Sequence, residues 1–135
     1  MNTSPLIERL RLQCAGFKFI GGAMDLNEST LQSVVFPAAF VLPLSETGID
    51  QGMNALANTT EQVWAVVTSI KAVRTTAQDQ SADLATLRAQ IKVALQAWQP
   101  DATAAPMRYH SGQLESAEAG VLLWIDLYTR TKYPT

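Results

Sequence analysis

Residues able to do acid–base or metal chemistry are few in this chain and are widely spaced. The single histidine, His110, has no Cys, His or acidic partner at the spacing of a zinc site. A general base needs a partner that orients it, and the sequence shows none for this imidazole. We therefore interpret His110 as a surface strand residue. The alternative is a small enzyme or ligand-binding domain that uses His110, Tyr109 and Glu115 in one pocket.

Two pairs of carboxylates and one thiol complete the set of reactive side chains. Asp25 with Glu28 has the spacing of a helix capping box, and Glu115 with Glu118 lies in a polar hairpin sequence. Neither pair lies in an apolar pattern that would raise the pKa of a carboxyl group. Cys14 ends an apolar helical pattern and is interpreted as a small buried hydrophobe. Phosphate-loop and nucleophile-elbow motifs are missing, so the sequence predicts no catalytic site, metal or cofactor.

The composition is that of a globular protein with little charge. The chain has 135 residues, of which 47% are hydrophobic and 16% charged, with a formal net charge of −2. No basic cluster is present that would neutralise phosphates, so sequence-specific nucleic-acid binding is not expected. No apolar run reaches the ~18 residues of a membrane span, and the first residues lack the pattern of a signal peptide. We expect no membrane partner and assembly in a reducing cytoplasm.

The central stretch, residues 61–100, predicts a strand followed by a helix. The strand is rich in β-branched and aromatic residues. The helix shows one apolar stripe, formed by Leu84, Leu87, Ile91, Leu95 and Trp98. Ser81 is the predicted N-cap, Asp83 falls in the first turn and Pro100 ends the helix.

The N-terminal segment predicts a short helix and then a strand. Ser4 is the predicted cap and Pro5 the first helical residue. Residues 17–20 alternate as a strand does, and the pair Gly21 and Gly22 is interpreted as a turn.

A second short helix, another strand and a loop are predicted next. The helix spans residues 26–34 and the strand residues 38–45. Pro43 within that strand indicates an edge position or a bulge, because proline cannot donate to a ladder. Residues 46–60 are rich in Gly, Asn and Thr without periodicity, which predicts a long loop.

The C-terminal segment predicts a β-hairpin whose last strand, Val121–Lys132, has two unlike faces. One face is aliphatic and is expected to pack under the central helix. The other is mixed, and Trp, Tyr and Arg are favoured at protein interfaces, so it predicts a contact surface. Its candidate contact residues are Trp124, Asp126, Tyr128 and Arg130. The whole chain, residues 1–135, is thus expected to form one α+β domain. We expect a mixed or mostly antiparallel sheet of about four to five strands packed against one long helix, with one or two shorter helices.

Five stretches, in this order, resemble phage tail terminator proteins, the small proteins that cap the tail tube of long-tailed phages. They are SPLIERLRLQCAGFKFIGGAMDL, FPAAFVLPLS, GMNALANTTEQ, VWAVVTSIKAVR and GVLLWIDLYTRTKY. The resemblance covers nearly the whole chain and rests on pattern and order.

This resemblance implies a structural virion protein without enzymatic activity or cofactor. It implies a hexameric ring that binds the last ring of tail tube protein, stops tube polymerisation and presents a surface for head joining to a head-completion or connector protein. Such a ring lies at the head-proximal end of the tail, and genomic DNA passes through its lumen without sequence-specific binding. Residues 46–61 would then project towards neighbours or the tube, with Met53, Asn54 and Leu56 as contact candidates. The alternatives are a head-completion protein of a tailed phage and the small ligand-binding domain described above.

Overall fold

The computed structural model describes residues 1–26, 35–49, 59–71, 77–118 and 120–133, with the backbone alone for residues 77–82. It is an α+β fold with a five-stranded mixed sheet, as the sequence predicts. We number the elements α1 (Ser4–Gln13), β1 (Phe19–Gly22), β2 (Ala38–Gly48), β3 (Thr60–Lys71), α2 (Ala77–Leu95), β4 (Arg108–Glu118) and β5 (Val121–Lys132). A short 3₁₀ helix, Ala23–Asp25, follows β1.

The strands lie in the order β1-β2-β3-β5-β4. β1 pairs with β2 in parallel, and the other three pairings are antiparallel. β2 and β5 therefore run in one direction and β3 and β4 in the other. The predicted C-terminal hairpin is confirmed as β4–β5.

An uninterrupted register joins β3 to β5, from Thr60 opposite Lys132 to Lys71 opposite Val121. Residues that face each other across such a ladder point to the same side of the sheet. The helix-side face carries Trp64, Val66, Asp126 and Tyr128. The opposite face carries Phe40, Val67, Leu123, Ile125 and Leu127.

Two helices share the cover of the helix-side face. Leu6 and Leu10 from α1 are buried in one cluster with Ile91 from α2 and Trp64 from the sheet. The first helix reaches this position because its own apolar residues recur at helical spacing. The structure therefore does not show one long helix as the cover of the sheet.

The ends of α2 differ from the prediction. The helix begins at Ala77, so Ser81 lies within it and is not its N-cap. It ends at Leu95, before Pro100 is reached, because the chain reverses at Ala97, whose φ is 63°. The amide of Ala97 then donates to the carbonyl of Met107, 2.8 Å away, which leads the chain into β4.

Three predicted positions near the N-terminus also change: the cap, the first helical residue and a turn. Ser4 is the first helical residue, with Thr3 at the cap position, so Pro5 is the second helical residue and not the first. The predicted turn at Gly21 and Gly22 is wrong, because both residues belong to β1. Gly21 is needed there for space, since a Cβ would lie 2.5 Å from Oδ2 of Asp25.

The segment between β2 and β3 is shorter than the predicted loop. β2 continues to Gly48, and the amide of Ile49 donates to the carbonyl of Thr59 over 2.9 Å. The predicted bulge is confirmed, because the register shifts between Pro43 and Ser45. Residues 50–58, and residues 27–34 of the predicted second helix, lie outside the described residues.

Candidate functional site

The strand face predicted to meet a partner lies beneath the helices instead. Tyr128 and Asp126 are 0% and 1% exposed, and Arg130 is buried as well. Trp124 is half-buried. The prediction of which β5 face lies under the helix is therefore wrong. Charged residues on this face find their partners within the chain, and in this conformation Tyr128 and Asp126 offer no surface to another molecule.

A carboxylate at the centre of this face collects donors from three elements. Arg88 of α2 binds both oxygens of Asp126, with Nε 3.0 Å from Oδ2 and Nη2 2.9 Å from Oδ1. The hydroxyl of Tyr109 and the Nε1 of Trp124 each donate to Oδ1 over 3.1 Å. The hydrogen bond with Asp126 raises the pKa of Arg88, and burial raises the pKa of Tyr109. The network ties α2 to the β4–β5 hairpin.

The strand opposite Asp126 leaves room for this network. Gly112 pairs with Asp126 across the β4–β5 ladder. A Cβ on Gly112 would lie 2.3 Å from Oδ1 of Asp126 and 2.6 Å from the hydroxyl of Tyr109. The absence of a side chain at this position is thus a condition for the carboxylate to receive its donors.

A second polar network closes the end of the helix-side face. Nε of Arg130 donates to Oε1 of Gln62 over 2.9 Å, and the guanidinium lies 4.8 Å from the ring centroid of Trp64. Gln62 in turn donates to the carboxylate of Glu46 on β2. Arg130 also approaches Asp101 at 3.5 Å, and burial lowers the pKa of this guanidinium. These contacts tie β5 to β3, to β2 and to the segment before β4, and so stabilise the fold.

The opposite face is apolar and partly accessible. Its buried centre is Phe40, Val67 and Ala38. A groove of about 270 Å³ runs across the strands and is lined by Leu44, Ala65, Ser111, Gly112, Gln113, Ile125 and Leu127. Small residues form part of this lining, and Leu44 at one side is 56% exposed. Accessible aliphatic surface therefore lies on the face that the sequence predicts to be covered by the helix.

The residues considered for chemistry do not converge. His110 is exposed, with Nδ1 2.9 Å from Oγ of Ser111, and Glu115 is exposed too. Tyr109 binds Asp126, and neither His110 nor Glu115 lines the groove. Across the described residues, no three His, Cys, Asp or Glu side chains lie close enough to hold a metal ion.

Two further expectations concern burial and membranes. Cys14 is 3% exposed, as the helical pattern predicts, and burial raises the pKa of its thiol to about 11. No helix in the described ranges has the length and apolarity to cross a membrane. Met53, Asn54 and Leu56 lie outside the described residues, and their contacts stay a prediction.

Arg88 is the residue of the Asp126 network that sequence reasoning missed. It lies four residues after Leu84 and three before Ile91, on the side of the helix that carries the apolar stripe. A lone cation within an apolar stripe indicates a buried anion opposite it, and Asp126 is the only carboxylate on β5.

Comparisons with known proteins give one family and one similar fold. A family model described as phage tail terminator protein matches residues 1–133. No curated protein matches the chain. Among solved structures, a chain of the "Virion of native gene transfer agent (GTA) particle" is similar, with a TM-score of 0.58 and 12% identity. The match covers 95% of this chain and 90% of that one, and at such low identity it shows a shared fold.

Proposed function

Since the chain belongs to the phage tail terminator family, we propose that it forms a ring on the head-proximal end of a tail tube and stops polymerisation of the tube. The family match, which extends over residues 1–133, is the observation that carries this proposal. The likeness to a chain of a virion particle supports a structural role in such a particle. Assembly of the ring in the host cytoplasm is part of the same proposal. No enzymatic step is part of this function.

The proposed ring is a hexamer that binds tail tube protein on one side and a head-completion or connector protein on the other. A closed ring of identical chains needs two different surfaces on each copy, because its contacts run head to tail. The apolar groove on the opposite face supplies accessible hydrophobic surface for such a contact. The buried residues Asp126, Tyr128 and Arg130 would act indirectly, by holding the sheet that presents the groove.

Charge is consistent with a conduit for DNA. The net charge of −2 gives little attraction for phosphate groups, and a basic wall would retain the passing duplex. Genomic DNA would then cross the lumen without sequence-specific binding. The segment between β2 and β3, with Met53, Asn54 and Leu56, remains the predicted region of contact with the tube or a neighbour.

A tube-capping assay tests the function directly. Purified protein is added to polymerising tail tube protein, and tube lengths are measured by electron microscopy. We expect lengthening to stop at a ratio of a few copies per tube end, with a ring visible at that end. Tubes that grow to the same length with and without the protein contradict the proposal.

Matched variants locate the contact surface. Leu44→Asp places a charge beside the groove, whereas Leu12→Asp places one on α1, where Leu12 is 82% exposed. We expect the first to weaken capping and the second to leave it unchanged.

Particles that lack the protein separate the proposal from its alternatives. Overlong tubes indicate a terminator, whereas leaking heads without tails indicate head completion. A catalytic protein instead predicts that His110→Ala abolishes an activity and leaves assembly intact.

A further inference from the structure

The two edges of the sheet differ in how their backbone groups are satisfied. At the β1 edge, the carbonyl of Ile20 accepts from Nη2 of Arg11 at 2.7 Å and from its Nε at 3.1 Å. The amide of Gly22 donates to Oδ2 of Asp25 over 3.0 Å. Side chains of the chain itself therefore occupy backbone groups of β1 that a further strand would need.

The edge at β4 is open by comparison. β4 is the last strand of the sheet, and within the described ranges no hydrogen bond covers its outer side. Between its two register shifts, the four residues from Ser111 to Leu114 pair regularly with β5. Gln113 and Leu114 are exposed there. An exposed strand edge of this kind is a template for pairing with another strand.

A second open stretch lies on β2, on the other side of the sheet. β1 pairs with β2 only from Ala38 to Val41. Beyond the bulge at Pro43 and Ser45, β2 continues to Gly48, and its residues there are exposed. Among the described residues, only β3 pairs with this stretch. This stretch retains its ladder with β3, so it is held extended and is ready to pair.

Strand direction shows which partner fits. β4 runs opposite to β2 within the sheet. When two copies lie side by side in the same orientation, β4 of one is therefore antiparallel to β2 of the next, and antiparallel ladders are the more stable kind. Two unlike edges that complement each other give a head-to-tail contact, which closes into a ring when the rotation permits.

We propose that the outer edge of β4 pairs with the 44–48 stretch of β2 in a second copy of this chain, so that the sheet continues from copy to copy. This rests on the proposed function, because it names the contact through which the ring forms. The pairing uses backbone groups. The groove reaches β4 at Ser111–Gln113, so it would lie next to the contact between the two copies.

Cysteine cross-linking tests the pairing. Thr47 lies opposite Glu61, and Ser111 and Gln113 lie opposite Leu127 and Ile125, so these three positions share one face of the sheet. Thr47→Cys is combined in turn with Ser111→Cys, Gln113→Cys, Arg108→Cys or Ser116→Cys, which samples four registers on one face of β4. Thr47→Cys with Leu114→Cys is the matched control, since Leu114 faces the other side. The parent chain, whose single thiol is buried, gives the background.

On oxidation of assembled protein, we expect at least one same-face pair to give a ladder of covalent multimers longer than dimers, and the Leu114 control to give none. Single-cysteine variants should stay uncross-linked. Dimers from Gln113→Cys alone, or cross-links to tube protein instead of a second copy, overturn the pairing.

Failure of this inference can be told apart from failure of the function. Rings that cap tubes but yield no cross-link in any same-face pair overturn the pairing and leave the function standing. A chain that remains monomeric and ignores tube ends overturns both. Circular dichroism of each variant establishes that the fold is retained.

Discussion

Replacing Arg88 by methionine should strongly lower the free energy of unfolding, because Arg88 is the ion-pair partner of a buried carboxylate. The substitution keeps a long apolar stem and removes the guanidinium that binds both oxygens of Asp126. It also removes a cation that lies 4.3 Å from the ring centroid of Trp124 and a hydrogen bond to Tyr109. Asp126 would retain only the donors of Tyr109 and Trp124 while remaining buried.

The magnitude follows from how buried each partner is. The side chain of Asp126 is 2% exposed and that of Arg88 is 24% exposed. Breaking a buried ion pair by removing one partner costs about 3–5 kcal/mol, and the partial exposure of Arg88 places the expectation near the lower value, about 3 kcal/mol. With a urea slope of roughly 1.5 kcal/mol/M, the unfolding midpoint should fall by about 2 M.

Urea unfolding followed by tryptophan fluorescence measures this change, and Arg108→Met is the matched control. Arg108 also binds a carboxylate, that of Glu61 at 2.9 Å, but the two side chains are 57% and 30% exposed. Exposed pairs contribute about 0–1 kcal/mol. In the double variant Arg88→Met/Asp126→Asn, the loss should be smaller than the sum of the single losses by roughly 1–3 kcal/mol. Equal effects of Arg88→Met and Arg108→Met, or additive effects in the double variant, would refute the reasoning.

Three other perturbations test the packing and the titration of the fold. Ile91→Ala should lower the free energy of unfolding by about 2–5 kcal/mol, because Ile91 is 0% exposed; Val93→Ala, on the same helix at an 81% exposed position, should change it by no more than about 0.5 kcal/mol. Gly112→Ala should cost about 1–3 kcal/mol by forcing the carboxylate network apart, whereas Gly48→Ala, where a Cβ meets nothing within 4 Å, should be tolerated in the same urea melts. Burial raises the pKa of Cys14 to about 11, so the stabilising contribution of the buried thiol is complete below the ordinary thiol pKa and is lost as the pH rises towards 11. The difference in free energy of unfolding between the parent and Cys14→Ala should therefore narrow over that range. A constant difference would contradict the raised pKa.

Local patterns in the sequence predict much of the fold, because they depend on neighbours along the chain. Alternation along Val121–Lys132 identifies β5, and the turn before it identifies the β4–β5 hairpin. The apolar stripe identifies α2, with Ile91 and Leu95 both buried. Each of these signals lies within one element or two successive elements, so sequence alone is sufficient to find it.

The face of β5 that lies under the helices could not be predicted in the same way. Alternation separates two faces but does not say which one is covered. A charged residue such as Asp126 predicts an exposed face when its partner is not known. That partner, Arg88, lies 38 residues earlier in the chain. A charge is stable in the interior when it is paired and hydrogen-bonded, and this pairing depends on the tertiary structure.

Glycine misled the prediction for a related reason. The sequence predicts a turn at Gly21 and Gly22, whereas both are strand residues. At Gly21 the missing side chain leaves space for Phe19 and Asp25, whose atoms would lie within 3 Å of a Cβ. Glycine can be required either because a side chain would clash or because the backbone adopts a positive φ, and the sequence alone does not distinguish the two.

The uninterrupted ladder between β3 and β5 has a mechanical consequence. Tension applied along these strands loads all of their inter-strand hydrogen bonds in shear at the same time, from Thr60 opposite Lys132 to Lys71 opposite Val121. Tension applied across the sheet at β4 instead peels one bond after another. A subunit of the proposed ring would therefore resist best when the force on it is directed along its two central strands.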